Sequence, residues 1–382
     1  MGQGTSWERA LTRRSFLYVG LAGAATFVLA ACGGGGDGET QAGADTGAAA
    51  GGLTEPSTKP DKLVVRTWGD PWQSAYANGP GKAFTEQTGI PVEFDVTDYN
   101  EIQAKVQQAV DAGRRPPVDV VGTVEDAAYA ATVRGLTVPL DPSVVTNFDL
   151  LNPVGRPESG SDYVNPYSYT QPIVFSVERA PLPAEVSWEV LWDPQYEGRV
   201  FVTSTSPASL LYPVAKMLGL DVATDDLTPA FDRIAELRPN IGGAGDEEEF
   251  IAGVERGEFD LGITLAAVAA EVEGLDWVVP TEGAVLSFES LYVPQGLPED
   301  VTYWAQVFID RVLDAQTLTT VAAALAEVPT NPQSSLADFM MNDPAFPFTE
   351  EEIAKYAIIV PPEVAVRNAD AWQAAYTAAI QG

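Results

Sequence analysis

From Lys62 onward the chain alternates between two hydrophobic periods. "KLVVRTW" (Lys62–Trp68) is an apolar run of strand length, and in "PVEFDV" (Pro91–Val96) Val92, Phe94 and Val96 alternate with polar neighbours. That period of two is the mark of a half-buried strand. Between these runs Ala75–Thr88 has helical spacing and stops at Gly89, a residue suited to the left-handed conformation that ends helices. "NEIQAKVQQAVDAG" (Asn100–Gly113) repeats the scheme. Asn100 is expected to cap it, Ile102, Val106, Ala109 and Val110 form one stripe, and Gly113 terminates it. "VDVVG" (Val118–Gly122) predicts a buried strand, followed by the helical "VEDAAYAATVRG".

The pattern returns further on. "GRVFVTS", "FDLGITL", "DWVVP" and "SLYVP" predict strands, while "SPASLLYPVAKMLG" and "PAFDRIAEL" predict helices. Thr302–Glu327 is mainly helical, with Trp304, Val307, Phe308 and Val312 on one face. Strands alternating with helices make an α/β architecture. At roughly 320 residues the patterned region exceeds a usual domain of about 100–150, which predicts two lobes.

The segment before Lys62 reads differently. Phe16–Ala31 is an apolar run behind Arg13 and Arg14, shorter than the roughly 20 residues that span a membrane, and it ends in small residues. "TRRSFL" (Thr12–Leu17) resembles a twin-arginine export motif, and "LAAC" (Leu29–Cys32) resembles a lipobox, in which the cysteine is acylated and the chain is cut before it. Residues 33–60 are Gly, Ala, Thr and polar, without a period that could build a core. The expectation is a signal peptide over 1–31, with Arg13 and Arg14 as its export signal. Lipidated Cys32 and a tether up to residue 60 follow.

Composition narrows the chemistry. Net charge is −33, so the surface repels nucleic acid and draws cations. The chain has no histidine and a single cysteine, Cys32. That excludes an internal disulfide, a thiolate zinc site, a Ser-His-Asp triad and a cysteine nucleophile in the folded part. "GPGKAF" (Gly79–Phe84) fails as a phosphate loop, because Tyr76 stands at the first glycine position and Ala83 where Ser or Thr is needed. "GGAGDEEEF" (Gly242–Phe250) lacks calcium-loop spacing and reads as a helix start, with Asp246 as cap and Glu249 closing a capping box. Aromatic residues in "TWGDPWQSAY" (Thr67–Tyr76) and "NPYSYTQP" (Asn165–Pro172) are placed in loops, where two indoles bracketing Asp70 suit an organic cation.

Several segments, in order, resemble the bacterial extracellular solute-binding proteins of ABC importers, in the spermidine/putrescine-binding branch. They are "TWGDPW…AFTEQTGIPVEF" (Thr67–Phe94), "VDVVG…RGLTVPLD", "VSWEVLWDPQYEGRVFV" (Val186–Val202), "GVERGEFDLGIT", "VVPTEGAVLSFESLYVP" and "EVPTNP". The resemblance implies a type II periplasmic-binding-protein-like fold, in which hinge-linked lobes close on a ligand in the cleft between them. Lobe one is expected over 61–170 and 290–335, lobe two over 171–289 and 336–382.

The resemblance also implies that Trp68 packs against ligand methylenes, that Asp70 is a nearby carboxylate, and that Glu289 holds the family's central acidic position facing an amine. The family's other aromatic positions are occupied by Ser287, Leu265 and Val328. Trp68, Asp70, Trp72 and Glu289 are therefore candidate ligand contacts, together with Thr123, Glu125, Tyr169 and Ser206. No cofactor or metal and no enzymatic activity are expected. The expected partners are a small polar or cationic solute, an ABC permease with its ATPase, and the outer face of the cytoplasmic membrane through the lipid anchor, with the protein itself a monomer. An amino-acid-derived, opine-like or thiamine-like solute is the alternative ligand class, and a structural surface lipoprotein the alternative role.

Overall fold

The computed structural model describes residues 52–157, 160–204 and 206–382. Arg13, Arg14 and Cys32 lie outside the described residues, as do the export and lipidation expectations that rest on them. Among the described residues no helix is long and apolar enough to cross a membrane.

The strands, in chain order, are β1 (Leu63–Arg66), β2 (Val92–Asp95), β3 (Val120–Val124), β4 (Thr137–Val138), β5 (Val164–Gln171), β6 (Ile173–Ser176), β7 (Val200–Thr203), β8 (Ile241–Gly245), β9 (Leu261–Ile263), β10 (Leu275–Val278), β11 (Ala284–Pro294), β12 (Val328–Pro329) and β13 (Ala357–Ile358). They form an eight-stranded sheet running β12-β5-β11-β3-β1-β2, with β4 and β13 also on β11, and a five-stranded sheet running β10-β6-β9-β7-β8. β1 is parallel to both β2 and β3, so helices carry the chain between them. Strands covered on both faces read as continuous apolar runs, and Leu63, Val65 and Val120 are fully buried.

The chain leaves the first sheet at Gln171, enters the second at Ile173, and returns between Val278 and Ala284. The expected return at 289/290 falls inside β11, which pairs with β5 from Val285 onward. Ala284–Pro294 is one strand, buried throughout except at half-buried Ser287, and only its second half is legible as an isolated apolar run. β13, expected in lobe two, also joins the first sheet through Ala284 and Val285. The helix Pro362–Gln381 packs against both the helix Glu125–Val133 of the first lobe and the helix Thr228–Ala235 of the second.

Local expectations are met in part. Gly89 and Gly113 take left-handed φ of 77° and 60° after their helices, and Asp246 and Glu249 form the capping box. The helix expected over Ala75–Thr88 is divided into Trp72–Tyr76 and Lys82–Thr88 by a π turn with non-helical Gly79 before Pro80. Proline removes the donor that a continuous ladder needs. Asp98, not Asn100, caps the next helix, its carboxylate accepting from the backbone of Asn100 and Glu101. "NPYSYTQP" is strand, not loop, because it lies within β5 and pairs with β11.

Residues 52–60, expected as the end of the tether, lie on the first lobe. Lys59 donates to the Thr88 carbonyl at 2.6 Å and sits 5.1 Å from the Trp304 ring centroid. Thr58 reaches Asp300 at 3.4 Å, and the Leu53 amide donates to Asp141.

The "SWEVLWDPQYEG" segment forms short 3-10 turns capped by the side chains of Ser187 and Asp193. It fastens the return crossing. Fully buried Trp188 donates its indole N–H to the Gly283 carbonyl at 2.8 Å, and the Thr281 amide donates to Val186 at 2.8 Å. The Ser187 hydroxyl donates to Glu282. Trp188→Ala should lower stability by about 3–5 kcal/mol, the cost of emptying a large core site. Urea unfolding of the folded part checks this, and a loss below about 1 kcal/mol would remove Trp188 from the framework of the crossing.

Candidate functional site

The site begins with the register of β11. Glu289 faces Val124 on β3 and Tyr167 on β5, and Ser287 faces Tyr169. Because side chains alternate along a strand, Glu289, Ser287, Tyr167 and Tyr169 share one face of the first sheet. Trp68 follows the end of β1 and donates its indole N–H to Glu289 Oε1 at 2.7 Å. Tyr99 meets that indole edge-on, with 5.5 Å between ring centroids. The Arg66 guanidinium covers the indole ring at 4.0 Å. Glu289 is only 3% exposed.

Burial pushes the Glu289 pKa up to about 8, opposed by the Trp68 hydrogen bond and the charge of Arg66. Arg66 directs Nη1 to the Gly122 carbonyl at 2.7 Å and Nε to the Thr97 carbonyl at 3.0 Å. None of the ion pairs among the described residues includes Glu289. Two carboxyls that follow β3 shift the same way. Burial raises Glu125 to about 7, although it accepts from Asn165 at 2.8 Å and from Tyr163 at 3.4 Å. Asp126 still meets solvent, yet desolvation by the protein around it raises it to about 6.

Burial pushes the Tyr169 phenol well up, and Glu289, Glu327 and, from the second lobe, Glu247 at the start of the helix Glu247–Glu255 add to it. Burial likewise raises Tyr212 of the helix Ala208–Met217, with Asp126 of the first lobe adding. Acidic and phenolic groups of the two lobes therefore lie within electrostatic reach of one another.

The structure brings Trp68, Tyr169 and Glu289 together. Thr123 is buried on β3 opposite Ser290 and therefore points to the other face of the sheet from Glu289, with Glu125 beginning the helix that follows. Ser206 precedes the helix Ala208–Met217, and its carbonyl accepts from the Ser209 hydroxyl at 2.8 Å. Two further candidates are also placed otherwise. Asp70 is exposed, and its Oδ1 accepts from the Ser74 amide at 3.0 Å and the Ser74 hydroxyl at 2.6 Å, so it serves its own turn. Trp72 packs on the first lobe's core. Arg115 pairs with Asp119 at 2.7 Å.

Sequence reading passed over Glu327. It is 2% exposed, its Oε2 has no hydrogen-bond partner, and burial and the charges of Glu289 and Glu247 push its pKa well up. The signal was an acid between the apolar helix Ala315–Leu325 and the apolar pair Val328–Pro329.

A carboxyl whose pKa is higher folded than unfolded retains a proton that the unfolded chain releases. Ligand-free stability should therefore fall as pH rises from the ordinary value of 4.5 to about 8 for Glu289, with Glu125 and Glu327 adding in the same sense. Melting curves across that range test the sign. Glu289→Gln should flatten the decline, and an increase of stability over the interval would contradict the burial of these groups.

The model of the bacterial extracellular solute-binding protein family matches residues 81–348. The spermidine/putrescine-binding periplasmic protein of Escherichia coli (strain K12) is 28% identical over 237 residues, which is 58% of this chain and 66% of the relative. The chain thus spans just under two thirds of that relative's length. A putrescine-binding periplasmic protein of the same organism is 25% identical over 255 residues, 58% of this chain and 67% of the relative. Among solved structures, a spermidine/putrescine substrate-binding protein from Streptococcus pneumoniae has a TM-score of 0.68 at 20% identity, covering 84% of this chain and 100% of that one. A periplasmic binding protein from A. tumefaciens R10, solved with agropinic acid, has a TM-score of 0.65 at 21% identity, covering 84% of this chain and 99% of that one. At such identities the structural likeness is one of fold, the type II arrangement of two α/β lobes. On the extent of the family match, the chain belongs to the bacterial extracellular solute-binding proteins.

Proposed function

We propose that this protein is the extracytoplasmic binding component of an ABC importer and that its solute is an organic amine, held as a cation. The observation that carries the reading is Glu289. It is a buried carboxyl, hydrogen-bonded by Trp68, included in no ion pair among the described residues, and reluctant to ionise. Ionising it without a partner is costly, and an ammonium group supplies the missing charge while the Trp68 ring and the Tyr169 ring offer surface to the attached methylenes. No bond is made or broken. Ligand contacts drawn from both lobes would favour the closed arrangement by their differential affinity, and the closed form would be the one presented to a permease.

The relatives named for spermidine and putrescine support the amine class. A second reading has an observation of its own. Arg66 lies on Trp68, and the neighbour solved with agropinic acid makes an opine-like acid the competing solute.

Titration calorimetry with putrescine, spermidine, a neutral sugar and an opine-like acid separates the readings. The amines should bind, and Glu289→Gln should weaken them by about 1.5–3 kcal/mol, roughly 10- to 150-fold. Binding of the acid alone would replace the amine reading with the opine-like one.

We further propose that the protein works at the outer face of the cytoplasmic membrane, exported through a signal carrying Arg13 and Arg14 and anchored through acylated Cys32. The support is the order of apolar run, "LAAC" and glycine-rich segment. Cys32→Ser should move the protein from membrane to soluble fractions with its amine binding intact. Retention of a palmitate label at the membrane by that variant would refute anchoring.

A further inference from the structure

The helix Ala315–Leu325 ends in a left-handed residue, Ala326, with φ of 53°. Such a conformation is uncommon for a residue with a Cβ, and it turns the chain from helix into strand at Glu327. In β12, Val328 pairs with Ser168 and Pro329 with Tyr167. Carried back one residue, that register sets Glu327 beside Tyr169. Alternation then puts its side chain on the face that holds Tyr167, Tyr169 and Glu289. The packing agrees. Val328 belongs to a core with Trp277 and Phe346, whereas Tyr167 belongs to the core with Leu325 and Tyr76.

Two buried carboxyls therefore lie on one face of the first sheet, on either side of β5. Glu327 Oε2 and the Tyr167 hydroxyl each lack a hydrogen-bond partner. The titratable groups within electrostatic reach of Glu327 are Glu289 on β11, Tyr167 and Tyr169 on β5, Tyr76 on the helix Trp72–Tyr76, and Glu247 from the second lobe. The helix Ala315–Leu325 carries no charged residue. The guanidinium acting on Glu289 is that of Arg66, which lies on the far side, over Trp68. Two buried carboxyls under these conditions do not both ionise.

We propose that Glu327 is a second specificity residue of the cleft: like Glu289 it keeps its own proton until a cationic centre of the ligand takes that proton's place. The inference rests on the amine reading of Glu289. On capture of a diamine, the O–H bond of each carboxyl breaks, the protons pass to solvent, and each new carboxylate pairs with one ammonium. A monoamine displaces the proton of Glu289 alone and leaves that of Glu327 in place. The cleft thus ranks ligands by the number of their charges, and diamine affinity rises with pH over the range in which the two carboxyls still hold their protons.

The test is calorimetry with putrescine and n-butylamine, which share a four-carbon chain but differ by one ammonium group. Each is titrated at pH 6 and pH 8, in buffers of different ionisation enthalpy, so that released protons are counted. The wild-type protein should prefer putrescine by about tenfold or more, release more protons per putrescine than per butylamine, and bind putrescine more tightly at pH 8. Glu327→Gln should remove the preference and the extra proton while leaving butylamine affinity within about threefold, which also reports that the variant is folded. Glu327→Asp, which keeps a carboxyl, should retain the proton release. Equal weakening of both amines by Glu327→Gln, or undiminished proton release in that variant, would overturn the role of Glu327 and leave the amine reading standing. If the wild-type protein binds neither amine, the amine reading falls and takes this inference with it.

Discussion

A carboxylate withdrawn from water loses hydration worth on the order of several kcal/mol even after the protein relaxes around it. Glu289 is held under that constraint by its place on β11. The strand fixes its direction, the Trp68 indole supplies one hydrogen bond, and Arg66 gives some relief from a distance without pairing. Tyr169, Tyr167 and Glu327 crowd the same face and add phenolic and acidic groups where a fixed cation would have quieted the charge. The first lobe thus holds an electrostatic debt that a proton or an arriving cation settles. A chain of net charge −33 adds a long-range field that draws cations toward it.

What keeps this arrangement in register is the continuity of β11. Its first residues meet β13 and β5, its middle carries Glu289 between β5 and β3, and its end pairs with β4. The strand enters directly from the crossing that Trp188, Ser187 and Glu282 fasten. The crossing between the two sheets therefore enters the strand only a few residues from the buried acid. The "SWEVLWDPQYEG" segment has a physical role in this junction, since Trp188 fills a core and satisfies the Gly283 carbonyl at once.

The alternation of strands and helices was legible because periods of two and near 3.6 are written directly in the order of apolar residues. Trp68 and Glu289 were legible through their motifs, and their separation of 221 positions closes into a hydrogen bond. Asp70 and Trp72 were misleading for a local reason. A loop's sequence shows which groups are present but not where they turn, and Ser74 and the core claim these two. The first half of β11 escaped because its acid and two serines interrupt the apolar run, although Glu289 and Ser290 are buried. Glu327 escaped because nothing beside it in the chain marks it. Its partners come from β5, β11 and the facing lobe.

The strap formed by residues 52–60 has a mechanical meaning. Its contacts with Asp141, Asp300, Thr88 and Trp304 all lie on the first lobe. A force applied to the chain upstream of these residues is taken up there and does not pass through the segments that join the lobes. Under the lobe closure proposed above, the second lobe would swing against a mount that is held, and the energy difference between open and closed forms would be insulated from tension at that end of the chain.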